Sequence, residues 1–190
     1  MKAEGHVGFS LVLSCPIMLY LVRCGIFNFQ ISIVALMAIA TISTVPDLDI
    51  RLEIKHRYYT HNITFTTILS TAIAYIASKA GISFAQAFIV CFLGIISHLL
   101  IDLFNYVGLP LAYPLSKKRY SFKIVTARNR TANKALFTMG VTSLVLYLLY
   151  VMLPSEILFF RGAIPSLIVL ILPVSILVVM FIGVLEKGGK

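Results

Sequence analysis

Six stretches of the chain hold almost nothing but apolar side chains, and each is long enough, or nearly so, to cross a hydrocarbon core, which takes roughly 20 helical residues. They fall at about 6–24, 29–45, 62–80, 84–103, 135–153 and 163–185. A lone strand in lipid would leave its backbone groups unpaired, so every run reads as a helix. The expected fold is an all-α polytopic membrane helix bundle of about six transmembrane helices, a single integral membrane domain over 1–190. Composition agrees, since 59% of residues are apolar and only 12% charged. A soluble domain would be about half apolar and about a quarter charged. So little charge with so much apolar surface excludes disorder as well.

Details of the runs add constraints. The second is short, so it is tilted or re-entrant. The sixth contains Pro165 and Pro173, the latter expected to kink it. The first resembles a secretory signal, but Glu4 sits in the would-be basic region and no small-residue cleavage site follows Cys24, so it reads as a retained helix. Cys15, Cys24 and Cys91 lie in apolar runs without ligand spacing and read as buried small residues.

Basic residues set the orientation. Lys2, the 46–61 loop with Arg51, Lys55 and Arg57, the 104–134 loop and the tail with Lys187 and Lys190 fall on one side. That side collects thirteen basic residues, against Arg23, Lys79 and Arg161 on the other. The positive-inside rule then predicts cytoplasmic N- and C-termini.

All four histidines fall on that same side, with Asp47, Asp49, Glu53 and Asp102. His6 opens the first helix, and Pro46-Asp47-Leu48-Asp49 closes the second. His56 and His61 precede the third, while His98 and Asp102 share one face of the last turns of the fourth. Ionisable groups at a bilayer edge are costly unless paired, solvated or bound to a metal. Mixed His and Asp donors suit a divalent transition metal, zinc first, with manganese or iron as alternatives. Such an ion lowers the pKa of its water and makes hydroxide available for hydrolysis. A structural polar cluster and an ion or proton pathway are the competing readings, the second disfavoured because the helix centres hold almost no ionisable residue.

The four motifs together resemble the YdjM-like family of predicted membrane-bound metal-dependent hydrolases. The matching segments are His6-Val7-Gly8, Pro46-Asp47-Leu48-Asp49, His56-Arg57-Tyr58-Tyr59-Thr60-His61 and Ser97-His98-Leu99-Leu100-Ile101-Asp102. Gly108-Leu109-Pro110 and Tyr113-Pro114-Leu115-Ser116 are similar to the segment that follows. The resemblance covers a motif-bearing part, residues 1–134, and leaves 135–190 as accessory helices. A more distant likeness, in the order His, Asp, His, His-x-x-x-Asp, is to zinc-dependent phospholipase C. It implies His6, Asp47, His61, His98 and Asp102 as ligands of one or two ions, with Asp47 or Asp102 able to bridge. No His follows His98, so a trinuclear centre is not expected.

Other roles follow from chemistry. Asp49 can orient a ligand histidine, or be the ligand while Asp47 orients. His56 is a candidate general acid or base. Arg57 is either a clamp for a phosphate or carboxylate of the substrate, or an interfacial anchor pairing with Asp49 or Glu53. Thr60 fits an N-cap of the third helix, and Ser97 a packing residue. Seven basic residues and no acid fall between Lys117 and Lys134. They read as a topology signal touching membrane lipids, as a recruiter of an anionic substrate, or least well as a nucleic-acid surface, so no specific nucleic acid is expected. The oligomeric state is left open. The combined expectation is a cytoplasm-facing, metal-dependent hydrolase acting on an ester or phosphoester of a lipid-like substrate. Its alternative is a non-enzymatic protein with a structural or sensory metal site.

Overall fold

The structure, a computed structural model, describes residues 1–53, 57–152 and 158–188. Among them the secondary structure is helical: α1 (Ala3–Arg23), α2 (Phe29–Ile42), a 3-10 turn (Val45–Asp47), α3 (Leu48–Arg51), α4 (Ile63–Lys79), α5 (Phe84–Asp102), α6 (Arg130–Met152) and α7 (Leu158–Gly188). Five helical stretches are long and apolar enough to cross a membrane, with α2 continuing through the 3-10 turn to Ile50. The expected third span is shorter than the rest. Asn62 caps α4 by accepting from the Phe65 amide at 2.8 Å, so the helix starts late and has 17 residues. At 1.5 Å per residue that is about 25 Å, the lower limit for a span.

Direction alternates along the chain. The α4 and α5 helices form a hairpin in which His61, just before α4, meets His98 near the end of α5, at 3.0 Å between ring nitrogens. The start of α6 joins the same end, because the Lys2 amide donates to Asn133 Oδ1 at 2.8 Å. The far end of α7 returns there too, where Glu186 accepts from the Thr126 hydroxyl at 2.6 Å and from Asn129 at 3.0 Å. Helix α7 runs through both Pro165 and Pro173 as one element.

Lipid offers no hydrophobic drive for helix association, so contact depends on close packing and small residues. Helix α1 lies at the centre, against α2, α5, α6 and α7. A Cβ on Gly8 would run into the backbone of Leu136 and Phe137, and one on Gly140 into the backbone of Gly8. The two glycines thus let α1 and α6 touch backbone to backbone. Leu11, Cys15, Met18, Leu36, Ile39, Tyr147 and Ile168 fill the core toward the far end. Between α6 and α2 the Tyr147 hydroxyl donates to Ser32 Oγ at 2.6 Å. Outward faces keep large apolar side chains exposed, as on Val34, Ile68, Ile76, Leu177 and Val184, as a lipid-facing surface requires.

Candidate metal centre

Four helix ends meet at one membrane depth. His6 comes from the start of α1, Asp47 from the turn after α2, His61 from the residue before the α4 cap, and His98 and Asp102 from the end of α5. His6, His98 and Asp102 form one group of possible metal donors, and Asp47, His61 and His98 a second, with all donor atoms of each group within 4.8 Å of one another. All five residues expected as ligands are therefore brought together. The side chains of His6, His61, His98 and Asp102 are fully buried, while that of Asp47 is 26% exposed.

Hydrogen bonds point to which nitrogen His98 and His61 offer, whereas His6 turns its Nε2 to the Met1 carbonyl at 3.2 Å. The Ser43 carbonyl can only accept, so His98 donates from Nδ1 at 2.7 Å and its Nε2 carries a bare lone pair. That carbonyl is one of the orphan acceptors at the C-terminus of α2. For His61 the chain of donors is one step longer. Thr60 gives its hydroxyl proton to Asp49 Oδ2 at 2.6 Å, because a carboxylate only accepts. Thr60 Oγ1 is then the acceptor for His61 Nδ1–H at 2.8 Å. His61 Nε2 is bare as well. The two bare nitrogens face each other at 3.0 Å. His6 stacks on His98, with ring centroids 3.7 Å apart and planes 6° from parallel, and brings its Nε2 within 3.7 Å of Asp47 Oδ2.

These separations fit a metal. Ligands about 2.1 Å from one ion lie roughly 3.4 Å apart in a tetrahedron. Here Asp47 Oδ1 is 3.6 Å from His61 Nε2 and 3.5 Å from His98 Nε2. The donors are imidazole and carboxylate, the set that zinc, manganese and iron share.

Asp49, buried, is held away from the imidazole cluster by Thr60 and by the Arg57 amide, which donates at 3.2 Å. It approaches His61 on the Nδ1 side, at 3.5 Å. The Arg57 backbone takes a left-handed conformation with φ 59°, uncommon outside glycine, and that turn sends the amide to Asp49 and the side chain inward. Its guanidinium lies 3.0 Å from Asp102 Oδ2, so Arg57 reaches the site itself. On the other carboxylate oxygen, Asp102 Oδ1, the Met1 ammonium sits at 2.7 Å, with Asn105 also donating.

Thr60 is not the helix cap expected from sequence. Its hydroxyl is engaged by Asp49 and His61, and Asn62 supplies the cap. His56 lies outside the described residues. Ser97 bonds back to the Gly94 carbonyl at 2.8 Å, a packing role as expected. Ser43 and the Thr60 relay escaped the sequence reading, the first because a backbone carbonyl has no residue signature.

A small cavity of about 210 Å³, lined by Ala3, Thr44, Asp47 and Leu48, opens onto Asp47. A larger apolar groove of about 490 Å³ lies between α2 and α5 toward the far end, lined by residues such as Ile31, Val34, Ile82 and Val90. It holds neither histidine nor carboxylate, and it is a lipid-facing gap away from the chemistry.

The model of one protein family, described as YdjM inner membrane protein, matches residues 1–186, well beyond the motif-bearing part. No curated protein and no solved structure matches the chain.

Proposed function

The chain belongs to the YdjM inner membrane protein family, and on that footing we propose that this integral membrane protein is a metal-dependent hydrolase whose His/Asp centre faces the cytoplasm. One observation carries the reading. The Nε2 atoms of His61 and His98 point bare lone pairs at each other across 3.0 Å, each ring's other nitrogen being committed as a donor. With both rings neutral that arrangement repels, and a divalent ion shared by both rings and the Asp47 carboxylate beside them would relieve it; imidazole and carboxylate donors favour a metal of the zinc type. Manganese and iron share the donor preference.

A bound divalent ion would supply Lewis acidity and bring the pKa of its water toward neutrality. The chain's own residues do the remaining work. Ser43 and Thr60 fix the tautomers and aim of His98 and His61, and Asp49 anchors Thr60. Arg57 offers a planar fork that can leave Asp102 for the oxygens of a phosphoryl or carboxyl group. His56 is proposed as general acid or base on its place in the motif.

The substrate class is an ester or phosphoester on a lipid-like molecule. Leu48 at the mouth, with Ile50 and Leu52 beside it, exposes apolar side chains where an acyl chain would enter from the membrane plane. Five exposed basic residues of the loop before α6, with Arg130 and Lys134 in the first turns of α6, stand at the same end and favour an anionic headgroup. The cytoplasmic orientation rests on the same distribution of Lys and Arg. A structural metal site is normally closed, so the opening at Asp47 favours the hydrolase reading over a purely structural one.

The test is metal analysis of the full chain purified without added chelator, with hydrolysis of a nitrophenyl phosphodiester and a fluorescent phospholipid as readouts. Stoichiometric transition metal, lost together with hydrolysis in His98→Ala, is the expected result. Substoichiometric metal in the native protein with an unchanged His98→Ala variant would sink the reading.

A further inference from the structure

The chain between α5 and α6 forms a fixed projection from the bundle. Leu109 and Tyr120 close its neck, each amide donating to the other's carbonyl at 2.9 Å. Past the neck, the returning segment is bonded to carbonyls just beyond the end of α5. The Phe122 amide donates to Leu103 at 2.7 Å, and those of Ile124 and Val125 donate to Phe104 at 3.0 Å. Inside the loop the Tyr113 amide donates to Pro110 and the Ser116 amide to Ala112, both at 3.0 Å, so the tip is a compact pair of turns.

The depth of this loop follows from α4. With 17 residues, about 25 Å, α4 has no length to spare in crossing a bilayer, so its first residue, Ile63, stands at the hydrocarbon edge. The Ile63 amide donates to the Leu111 carbonyl at 3.0 Å, which fixes the loop at that same edge. There Tyr113 packs against Tyr58 and Tyr59, with ring centroids 4.9 and 5.8 Å away, and tyrosine is a residue type that gathers at headgroup level. Leu115 follows two residues later and is 93% exposed, more than any other large apolar side chain among the described residues. Four residues of chain reach at most about 14 Å, and the turns shorten that, so Leu115 stays at the interface.

Around that leucine the charge has one sign. Lys117, Lys118 and Arg119 are exposed, as are Lys123 and Arg128 past the neck, and no acidic residue occurs from Leu103 to Lys134. Glu186 meets the loop at Thr126 and Asn129, beyond the neck. An aliphatic tip flanked by cations at the hydrocarbon edge matches a headgroup boundary, with acyl chains on one side and phosphates on the other. A nucleic acid or an acidic protein would match the cations and leave the leucine without a partner. We propose that residues 109–120 form an interfacial anchor, in which Leu115 inserts into the surrounding leaflet while Lys117, Lys118 and Arg119 bind the phosphates of its anionic lipids. The partner is the bulk leaflet rather than a substrate molecule, and the anchor does not depend on a metal in the centre. Through the Leu111–Ile63 bond and the packing of Tyr113, it also steadies the segment that carries Arg57 and His61.

The experiment places a nitroxide at Leu115→Cys in a Cys24→Ser background, the other two cysteines, Cys15 and Cys91, being buried. The full chain is reconstituted in nanodiscs of phosphatidylcholine alone, or of phosphatidylcholine with phosphatidylglycerol. Power saturation with oxygen and with an aqueous nickel chelate reads the depth of the label. In the anionic discs the label should be open to oxygen and shielded from nickel. Nickel accessibility should rise several-fold in phosphatidylcholine alone, and equally in anionic discs when Lys117→Gln, Lys118→Gln and Arg119→Gln are combined. All these side chains are exposed, so an unchanged thermal transition in detergent is expected and checks the fold. A label open to nickel in both lipids would overturn the anchor and leave the loop to a soluble partner. A label equally shielded in both, with or without the three cations, would overturn the recognition of anionic lipid. Neither readout needs metal or hydrolysis, so the result stands apart from the hydrolase reading.

Discussion

Thr60→Val isolates the tautomer relay without touching a proposed ligand. Valine keeps the shape of threonine and removes the hydroxyl, which donates to Asp49 Oδ2 at 2.6 Å and accepts from His61 Nδ1–H at 2.8 Å. Both partners are buried, Asp49 being 1% and His61 0% exposed. Leaving such groups unsatisfied costs about 1–3 kcal/mol each, a loss of stability borne with or without metal. The affinity change is separate, since only the metal-bound state demands that His61 keep its proton on Nδ1. Loss of an outer hydrogen bond of this kind weakens metal binding roughly 10–100-fold, or about 1.4–2.7 kcal/mol. Asp49 remains anchored by the Arg57 amide at 3.2 Å and already lies 3.5 Å from His61 Nδ1, so it can partly replace the lost acceptor. The effect should fall at the lower end, about tenfold. Competition against a fluorescent zinc chelator in nanodiscs measures it, with Thr60→Ser as the variant expected to recover native affinity. A Thr60→Val affinity within about twofold of native, beside a His98→Ala variant that has lost its metal, would refute the relay as the device that orients His61.

Two further outcomes are expected. Gly8→Ala drives a methyl group into the backbone of Leu136 and Phe137, and should lower the thermal unfolding temperature of the detergent-solubilised chain by the equivalent of about 1–3 kcal/mol; an unchanged transition would show that α1 and α6 are not in backbone contact. Cys24, expected to be buried, is instead exposed just beyond the far end of α1, where the chain turns out of the helix, and Lys118 is exposed on the loop at the site end. A membrane-impermeant maleimide applied to intact spheroplasts should therefore label Cys24 and spare Lys118→Cys until lysis, and the reverse pattern would place the centre outside the cytoplasm.

The sequence made the meeting of the four helix ends legible because hydrophobic length and alternating direction leave few choices. His6, Asp47, His61, His98 and Asp102 then had to share one end of the bundle, and the helix packing gathers them into two possible donor groups, His98 common to both, each within 4.8 Å. What stayed hidden was the layer behind them. Asp47 and Asp49 are two residues apart, and only the 3-10 turn that places Asp47 beside the imidazoles separates their roles. Thr60 looked like a cap because threonine before a helix commonly is one. Asn62, a stronger capping residue and nearer the apolar run, was the available signal against it. The third span was expected over 62–80, and the cap at Asn62 and the C-cap at Ala80 trim it by one residue at each end, to Ile63–Lys79.

The division into a motif-bearing segment and accessory helices conceals a mechanical link. His6 and Gly8 stand two residues apart on α1, about 200° around the helix, so they face opposite ways. His6 points to the centre, while Gly8 rests on the backbone of α6 at Leu136, Phe137 and Gly140. Helix α6 is thus the surface against which α1 is seated, and its Asn133 holds the Lys2 amide one turn before His6. Helix α7 in turn is tied to the start of α6 through Glu186, Thr126 and Asn129. A shift of α6 by the width of one methyl group would carry His6 with it, which is a large displacement where donor atoms lie 3.6–3.7 Å from His6 Nε2. The histidine-x-glycine pair therefore encodes a position as well as a proposed ligand, and helices without a chemical motif of their own determine how close His6 comes to the other imidazoles and carboxylates.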